Sequence, residues 1–354
     1  MPFDTDRLSD RERTVLRLVV ERYVQTAAPV GSKTLAEADA LSISPASIRN
    51  TLAALEKAGL LGHPHTSAGR IPTAAGYRLF VDELMRPADL GAVERQIIRA
   101  GLDQLSGDPD LLGRETSRLL GRLSHLLGVV LSPKLARGTL ERIDLVPLSS
   151  TRVMLVLAVK GGLVRTIIAE TDAALPERGL DRVVSRLNER LAGLPLDEIR
   201  RTAAERVRDL DAEDATGAVR LVLREAPQLF ADEDRRAVLG GATGLASQPE
   251  FQAPEEMRAL LDLIEHDQVV VHLLESANAR ELSPDERAVV LIGQELSEEA
   301  DGVGGDLAGY SVVTAPYERQ GTRGAIGVIG PVRMDYARAS ALVEHVAVLL
   351  SRAG

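Results

Sequence analysis

The sequence predicts an α+β chain of several domains, on three observations. The N-terminal part reads as short amphipathic helices, with a tight turn and then a polar loop set between apolar pairs. β-rich runs come in two blocks, at 142–170 and 288–331, separated by a charged stretch of helical pattern. The length, 354 residues, suits about two or three domains with an ample apolar core.

The first elements follow from local signals. "SDRERTVLRLVVERYVQ" (9–25) is an amphipathic helix: Ser9 and Glu12 form a capping box, and Val15, Leu16, Val19, Val20 and Tyr23 make one apolar stripe. Pro29 and Gly31 break it, and Ser32 caps a short second helix, "KTLAEADA", with Leu35 and Ala36 inward. "LSIS" is a tight connection carrying Leu41 and Ile43. Ser44 followed by Pro45 starts the third helix with an N-cap and a proline at its first position. That helix buries Ile48, Leu52 and Leu55 and ends at Gly59, a residue suited to the left-handed position past a helix end. Three helices so connected are a helix-turn-helix. Leu60-Leu61 and Ile71-Pro72 flank "HPHTSAGR" as a small β-hairpin, and Thr73 caps a helix through Tyr77, Phe80, Val81 and Leu84. The sum is a winged helix-turn-helix whose wing is residues 63–70, closed by Pro87.

Residues 92–127 continue as helix, with Leu112, Leu119, Leu120, Leu123, Leu126 and Leu127 on one face. "RIDLVPLSSTRVMLVLAVKGGLVRTIIAE" then alternates β-rich runs about a Gly161-Gly162 turn. Residues 175–240 return to helical pattern, with Val183, Leu187 and Leu191 on one face. Strand signals resume at 288–294, 310–317 and 324–331, before a last helix from about Met334 to Leu350. Three late strands make an incomplete sheet, so the earlier hairpin is expected to join them. The expectation is one antiparallel α+β domain split by a mainly helical insertion near 172–250.

Composition narrows the function. There is no cysteine, which excludes disulfide scaffolds and thiolate zinc sites and suits a reducing compartment. No apolar stretch reaches the roughly 18 residues that a membrane span needs. The acidic, polar start "MPFDTDRLSD" is not a signal peptide, so a soluble cytoplasmic protein is expected. The net charge of −10 hides a gradient: residues 1–86 carry 11 Lys and Arg against 10 Asp and Glu, leaving −11 for the remainder. Between Ser44 and Leu79 the charges are Arg49, Lys57, Arg70 and Arg78 against Glu56 alone. Salt screens charges beyond about 10 Å, so a local basic face on an acidic protein can still bind a polyanion.

The wing's His63-Pro64-His65 could seat two imidazoles on zinc, but no Cys, Asp or Glu lies between Lys57 and Val81 to complete the site. The phosphate-loop pattern is absent, and "GVGGD" (302–306) and "GAIGVIG" (324–330) lack dinucleotide-binding spacing and read as turns and strand. No nucleophile elbow occurs, and His125, His266, His272 and His345 sit in no triad pattern. No metal, cofactor or catalytic centre is expected. A recognition helix in a major groove accounts better for the residue types. Arg49 can donate in bidentate fashion to guanine, Asn50 can pair with adenine, and Ala46 can meet a thymine methyl. Ser44, Ser47 and Thr51 can reach phosphates, while Thr66, Ser67 and Arg70 grip backbone or minor groove with Gly69 allowing close approach. Winged helices also mediate protein–protein contacts, and on these residues alone that alternative stays open.

"GSKTLAE", "ISPASIRNTLAALEKAGLL", "HTSAGRIPTAAGYRLFVDELM" and the terminal "GAIGVIGPVRMDY" together resemble the heat-inducible transcription repressor HrcA family. The resemblance is specific at both ends and weak in the middle. It implies a homodimeric repressor of chaperonin and other heat-shock genes, bound to an inverted-repeat operator and kept active by the chaperonin. It also implies a winged-helix domain (1–86), a linker helix (87–108), a GAF-like domain in two segments (109–171 and 251–354) and an inserted dimerisation domain (172–250). The candidate DNA-binding residues are Lys33, Ser44, Pro45, Ala46, Ser47, Arg49, Asn50, Thr51, His63, His65, Thr66, Ser67, Gly69 and Arg70. Gly327, Gly330, Pro331 and Tyr336 match the family's C-terminal signature and are read as maintaining the fold. The alternative reading is a small-molecule-sensing regulator using the GAF-like domain.

Overall fold

The fold is that of a computed structural model, which describes residues 8–37, 44–63, 69–103, 109–133, 138–160, 163–171, 177–214, 216–230, 237–279, 287–299, 307–319 and 322–352. The chain forms two compact units, one of 1–131, 236–316 and 325–349, the other of 132–235, 317–324 and 350–354.

The first unit begins with α1 (Asp10–Thr26), α2 (Ser32–Glu37) and α3 (Pro45–Lys57). The Ser9–Glu12 capping box forms, and Val15, Leu16, Val19 and Val20 are fully buried along α1. The helix ends at Thr26, three residues before Pro29: Ala27 takes a left-handed conformation and its N–H donates to the Tyr23 carbonyl. Ser32 lies inside α2 rather than ahead of it, and Leu35 is the residue α2 buries. Leu41 and Ile43 lie outside the described residues. Ser44 caps α3 by accepting the Ser47 N–H, and Gly59 and Leu60 close its end by donating to the Glu56 and Leu55 carbonyls.

The hairpin is β1 (Leu61–Gly62) against β2 (Ile71–Pro72), antiparallel, with Leu61 opposite Pro72. Thr73 caps α4 (Ala74–Leu79), which continues into one π-helical turn, Phe80–Leu84, instead of running on as α-helix. Gly76 makes that packing possible, because a Cβ there would lie 2.1 Å from the Leu60 carbonyl oxygen.

After α5 (Ala92–Asp103) and α6 (Pro109–Ser124) the structure departs from the sequence expectation. Leu127 does not extend a helix; it opens β3 (Leu127–Leu131), buried at every residue. An apolar run buried on both faces does not alternate, so its pattern does not separate strand from helix.

The second unit holds a meander of β4 (Leu140–Pro147), β5 (Arg152–Val159) and β6 (Leu163–Glu170), covered on one face by α7 (Glu177–Leu191), α8 (Leu196–Arg206), α9 (Arg208–Glu213) and α10 (Ala218–Leu229). Residues 161–162, the expected turn, lie outside the described residues, although β5 and β6 pair from Arg152↔Glu170 to Val159↔Leu163. The strands alternate as a half-buried sheet should: Ile143, Leu145, Val153, Leu155 and Leu157 pack on the helices. The opposite face leaves Val146, Val164 and Ile168 exposed.

The chain then returns to the first unit with β7 (Ala237–Gly240), α11 (Ala242–Ala246), a 3₁₀ turn at Pro249–Phe251, α12 (Pro254–Glu265) and α13 (Asp267–Ala279). β8 (Val289–Ile292), α14 (Gln294–Glu299) and the greater parts of β9 (Tyr310–Arg319), β10 (Thr322–Pro331) and α15 (Tyr336–Arg352) complete it. One five-stranded sheet runs in the order β7-β3-β10-β9-β8. The expected partnership of the late strands with the 142–170 hairpin is therefore corrected. β7, from a stretch that read as helix, and β3, which begins at the last residue of another and runs through residues given no element, complete that sheet, while β4–β6 form a sheet of their own. Residues 302–306, the expected glycine-rich loop, lie outside the described residues.

Candidate nucleic-acid interface

Helical periodicity divides α3 into two faces. Ile48, Leu52 and Leu55 point inward, which leaves Pro45, Ala46, Arg49 and Asn50 exposed together with the cap Ser44. The Ser44 hydroxyl accepts the Ser47 N–H at 3.2 Å and pairs with the Ser47 hydroxyl at 3.1 Å. The first helical turn is thus ordered before any partner arrives. Thr51 departs from its expected role: it is 7% exposed, and its hydroxyl donates to the Ser47 carbonyl. Its position, three residues past Ile48 and one before Leu52, turns it toward the core. Lys33 is exposed on α2.

In the wing, His63 is exposed, and His65, Thr66 and Ser67 lie outside the described residues. Gly69 makes its close approach to the protein's own backbone, since a Cβ there would stand 2.8 Å from the Pro29 carbonyl carbon. It leads into a bridge in which Val30 and Arg70 exchange both backbone hydrogen bonds at 2.9 Å. The Arg70 side chain turns back onto α3: Nε donates to Glu56 Oε2 at 3.0 Å, Nη2 lies 2.8 Å from the same oxygen, and Nη1 donates to the Gly69 carbonyl.

The four expected cations therefore separate. Arg70 is paired with Glu56, and Arg78 with Asp82 at 2.6 Å and Glu295 at 3.2 Å. Arg49 and Lys57 have no ion-pair partner among the described residues, nor has Lys33. These three keep an uncompensated positive charge around α3. Among the described residues no three His, Asp or Glu side chains cluster to hold a metal ion.

Behind this face, two arginines that sequence reasoning passed over as site-forming fasten the winged helix within the first unit. Arg78 donates to the Val290 carbonyl at 2.8 Å. Burial works against its charge, but Asp82 and then Glu295 outweigh that and hold it above its ordinary value. In the reverse direction Arg333 donates to the Val24 carbonyl at 2.7 Å and grips Glu250 with two nitrogens at 2.5 and 3.0 Å. The Glu250 hydrogen bonds raise Arg333 in spite of desolvation. The Tyr77 and Tyr336 rings meet at 5.8 Å, and burial pushes both phenols well above the usual tyrosine range. Tyr336 donates to the Val332 carbonyl and pairs with the Ser311 hydroxyl. Gly327 and Gly330 leave room for the Val313 carbonyl and for Leu126, contacts of 2.6 Å to a notional Cβ in each case. No local pattern marks Arg333 or Glu250, because their partners lie 83 residues apart and 309 residues away at Val24.

Two family models match the chain. The winged helix-turn-helix transcription repressor, HrcA DNA-binding, covers residues 7–84, and the HrcA protein C terminal domain covers 110–339. The chain is similar to proteins named heat-inducible transcription repressor HrcA. The one from Prosthecochloris aestuarii (strain DSM 271 / SK 413) is 38% identical, and the one from Chlorobium phaeobacteroides (strain BS1) 39%, each over 97% of both chains. A solved structure described as a hypothetical protein at 2.2 Å resolution shares the fold, with a TM-score of 0.61 and 23% identity over 98% of each chain.

Proposed function

This chain belongs to the HrcA family of heat-inducible transcription repressors, and on that premise we propose that it represses chaperonin and related heat-shock genes as a homodimer on an inverted-repeat operator. The family is one of repressors and not of enzymes. The observation that carries the reading is the outer face of α3. Arg49 and Asn50 stand side by side there on a pre-capped helix, flanked by cations without acidic partners among the described residues. Arg49 reads guanine and Asn50 reads adenine, Ala46 meets a methyl group, and Lys33, Ser44, Pro45 and Ser47 position the helix against phosphate. His63, His65, Thr66 and Ser67 of the wing reach the adjacent backbone or minor groove.

A two-fold protein reading a two-fold operator is the physical reason for an inverted repeat. The exposed apolar face of the β4–β6 sheet supports self-association through the second unit, in the role of an inserted dimerisation domain. The five-stranded sheet with α6 and α15 takes the GAF-like role, and α5 that of the linker helix. No described helix is long and apolar enough to cross a membrane; the proposed place of work is the cytoplasm, at the nucleoid when operator is bound. Chaperonin availability sets the active fraction: a shift of about 1–2 kcal/mol in the native state changes active abundance several-fold.

The test is fluorescence anisotropy on labelled duplexes carrying the full inverted repeat, one half-site or a scrambled sequence, with and without chaperonin. Tight binding to the full repeat, rising with chaperonin and losing its sequence preference in Arg49→Ala, is expected. Equal weak binding of folded dimer to all three duplexes, with chaperonin present, would remove the repressor reading. A second reading, small-molecule sensing, draws on a cavity of about 330 Å³ lined in part by His125, Gln248, Arg333 and Arg338. A thermal-shift screen against nucleotides and small organic acids tests it, since a ligand of the native state raises apparent stability.

A further inference from the structure

We propose that Arg70 is a positioning residue: it fastens the wing to the recognition helix through Glu56 and does not itself supply charge to DNA phosphate. The inference rests on the DNA-binding reading above and assigns a role within that site.

Glu56 is the lone acidic residue between Ser44 and Leu79, and it sits in the last turns of α3. An acid on a polyanion-binding element repels its ligand, so its presence calls for a physical reason. The geometry provides one. Glu56 Oε2 receives Nε of Arg70 at 3.0 Å and lies 2.8 Å from Nη2, while Nη1 turns to the Gly69 carbonyl at 3.3 Å. Three guanidinium nitrogens are thereby directed at the protein. The two side chains are 22% and 32% exposed, sheltered enough for the pair to hold one geometry.

The backbone of Arg70 is fixed as well. Its N–H and carbonyl are both bonded to Val30, and the Gly69 step beside it leaves no room for a side chain against Pro29. β1 and β2 share two residue pairs, a short ladder for orienting a wing. The returning strand is thereby anchored at Arg70 on one side to Val30 and on the other to α3. A guanidinium in contact with a carboxylate is nearly neutral to a phosphate several ångströms off, whereas Lys33, Arg49 and Lys57 keep their full charge.

Full-length Arg70→Ala, Arg70→Lys and Glu56→Gln are compared with wild type on the inverted-repeat and scrambled duplexes at several salt concentrations. Glu56→Gln is expected to weaken operator binding by about three- to tenfold although it deletes a negative charge beside DNA. Arg70→Lys is expected to behave like Arg70→Ala, because an ammonium cannot reproduce the planar contact. The salt slope is expected to stay that of wild type in all three. Tighter binding by Glu56→Gln would overturn the proposal. So would wild-type affinity in Arg70→Lys together with a slope shallower by about 0.9 in Arg70→Ala, the signature of a lost phosphate contact. The Nε–Hε resonance of Arg70 in DNA-free protein separates the two levels of inference. Protection that disappears in Glu56→Gln supports the fastening even if wild type prefers no duplex, in which case the DNA reading alone fails. An unprotected resonance overturns the fastening.

Discussion

Gly69 shows how a single residue sets the shape of the site. Any side chain there would press within 2.8–2.9 Å of the Pro29 and Val30 backbone, closer than real Cβ atoms come. Gly69→Ala is expected to open the Val30–Arg70 bridge and to destabilise the protein by about 1–3 kcal/mol, read as a lower Tm with a loss of operator affinity. Arg333 is the corresponding residue behind the interface. Arg333→Ala strips Glu250 of two hydrogen bonds and Val24 of one, and a loss of about 1–3 kcal/mol is expected in denaturant titration. Glu344 gives a test in pH. Burial raises its carboxyl above the ordinary value against the pull of Arg287, so the folded state holds that proton more tightly than the unfolded chain. Its contribution is full below the unfolded value and is lost as pH rises through the folded one. Glu344→Gln is expected to raise Tm at neutral pH and to leave it unchanged near about pH 4.

At the scale of elements, the winged helix was legible because its signals are short-range. Ser9 with Glu12, Ser44 with Pro45, and Thr73 act on backbone groups within three residues, and each forms the cap that its sequence announces. Ser44→Ala is expected to cost about 0.5–2 kcal/mol in stability before DNA is considered, a loss that urea titration of the free protein measures. β3 and β7 were not legible. The run "LGVVL" is buried on both faces and "AVLG" spans four residues, so neither alternates in a way that distinguishes strand from helix. What makes β3 a strand is the pairing offered by β10 on one side and β7 on the other. Gly128 marks the place, since a Cβ there would lie 2.1 Å from the Ser117 carbonyl oxygen of α6. Gly128→Ala is expected to separate α6 from β3, with little folded protein recovered by size-exclusion chromatography.

At the scale of the whole molecule, the β4–β6 sheet carries the argument for self-association. Val164 and Ile168 are 61% and 52% exposed, on the face opposite the helices α7–α10. Val164→Asp with Ile168→Asp leaves the helix-packed core untouched and is expected to convert the proposed dimer to a monomer in light scattering, while circular dichroism stays native. An unchanged dimer mass would move the interface to another surface. The caps at Ser9, Ser44 and Thr73, the apolar stripes of α1 and α3, and the residue types on the exposed face of α3 were determined by the sequence alone. They depend on chain neighbours a few residues apart, where spacing and geometry are the same thing. Sheet membership and the pairing of Arg70 with Glu56 and of Arg78 with Glu295 were decided only by the tertiary structure. A hydrogen-bonding edge or a carboxylate partner is chosen by proximity in space, and the chain separations involved, 14 residues for Arg70 and 217 for Arg78 with Glu295, leave no periodic trace in the sequence.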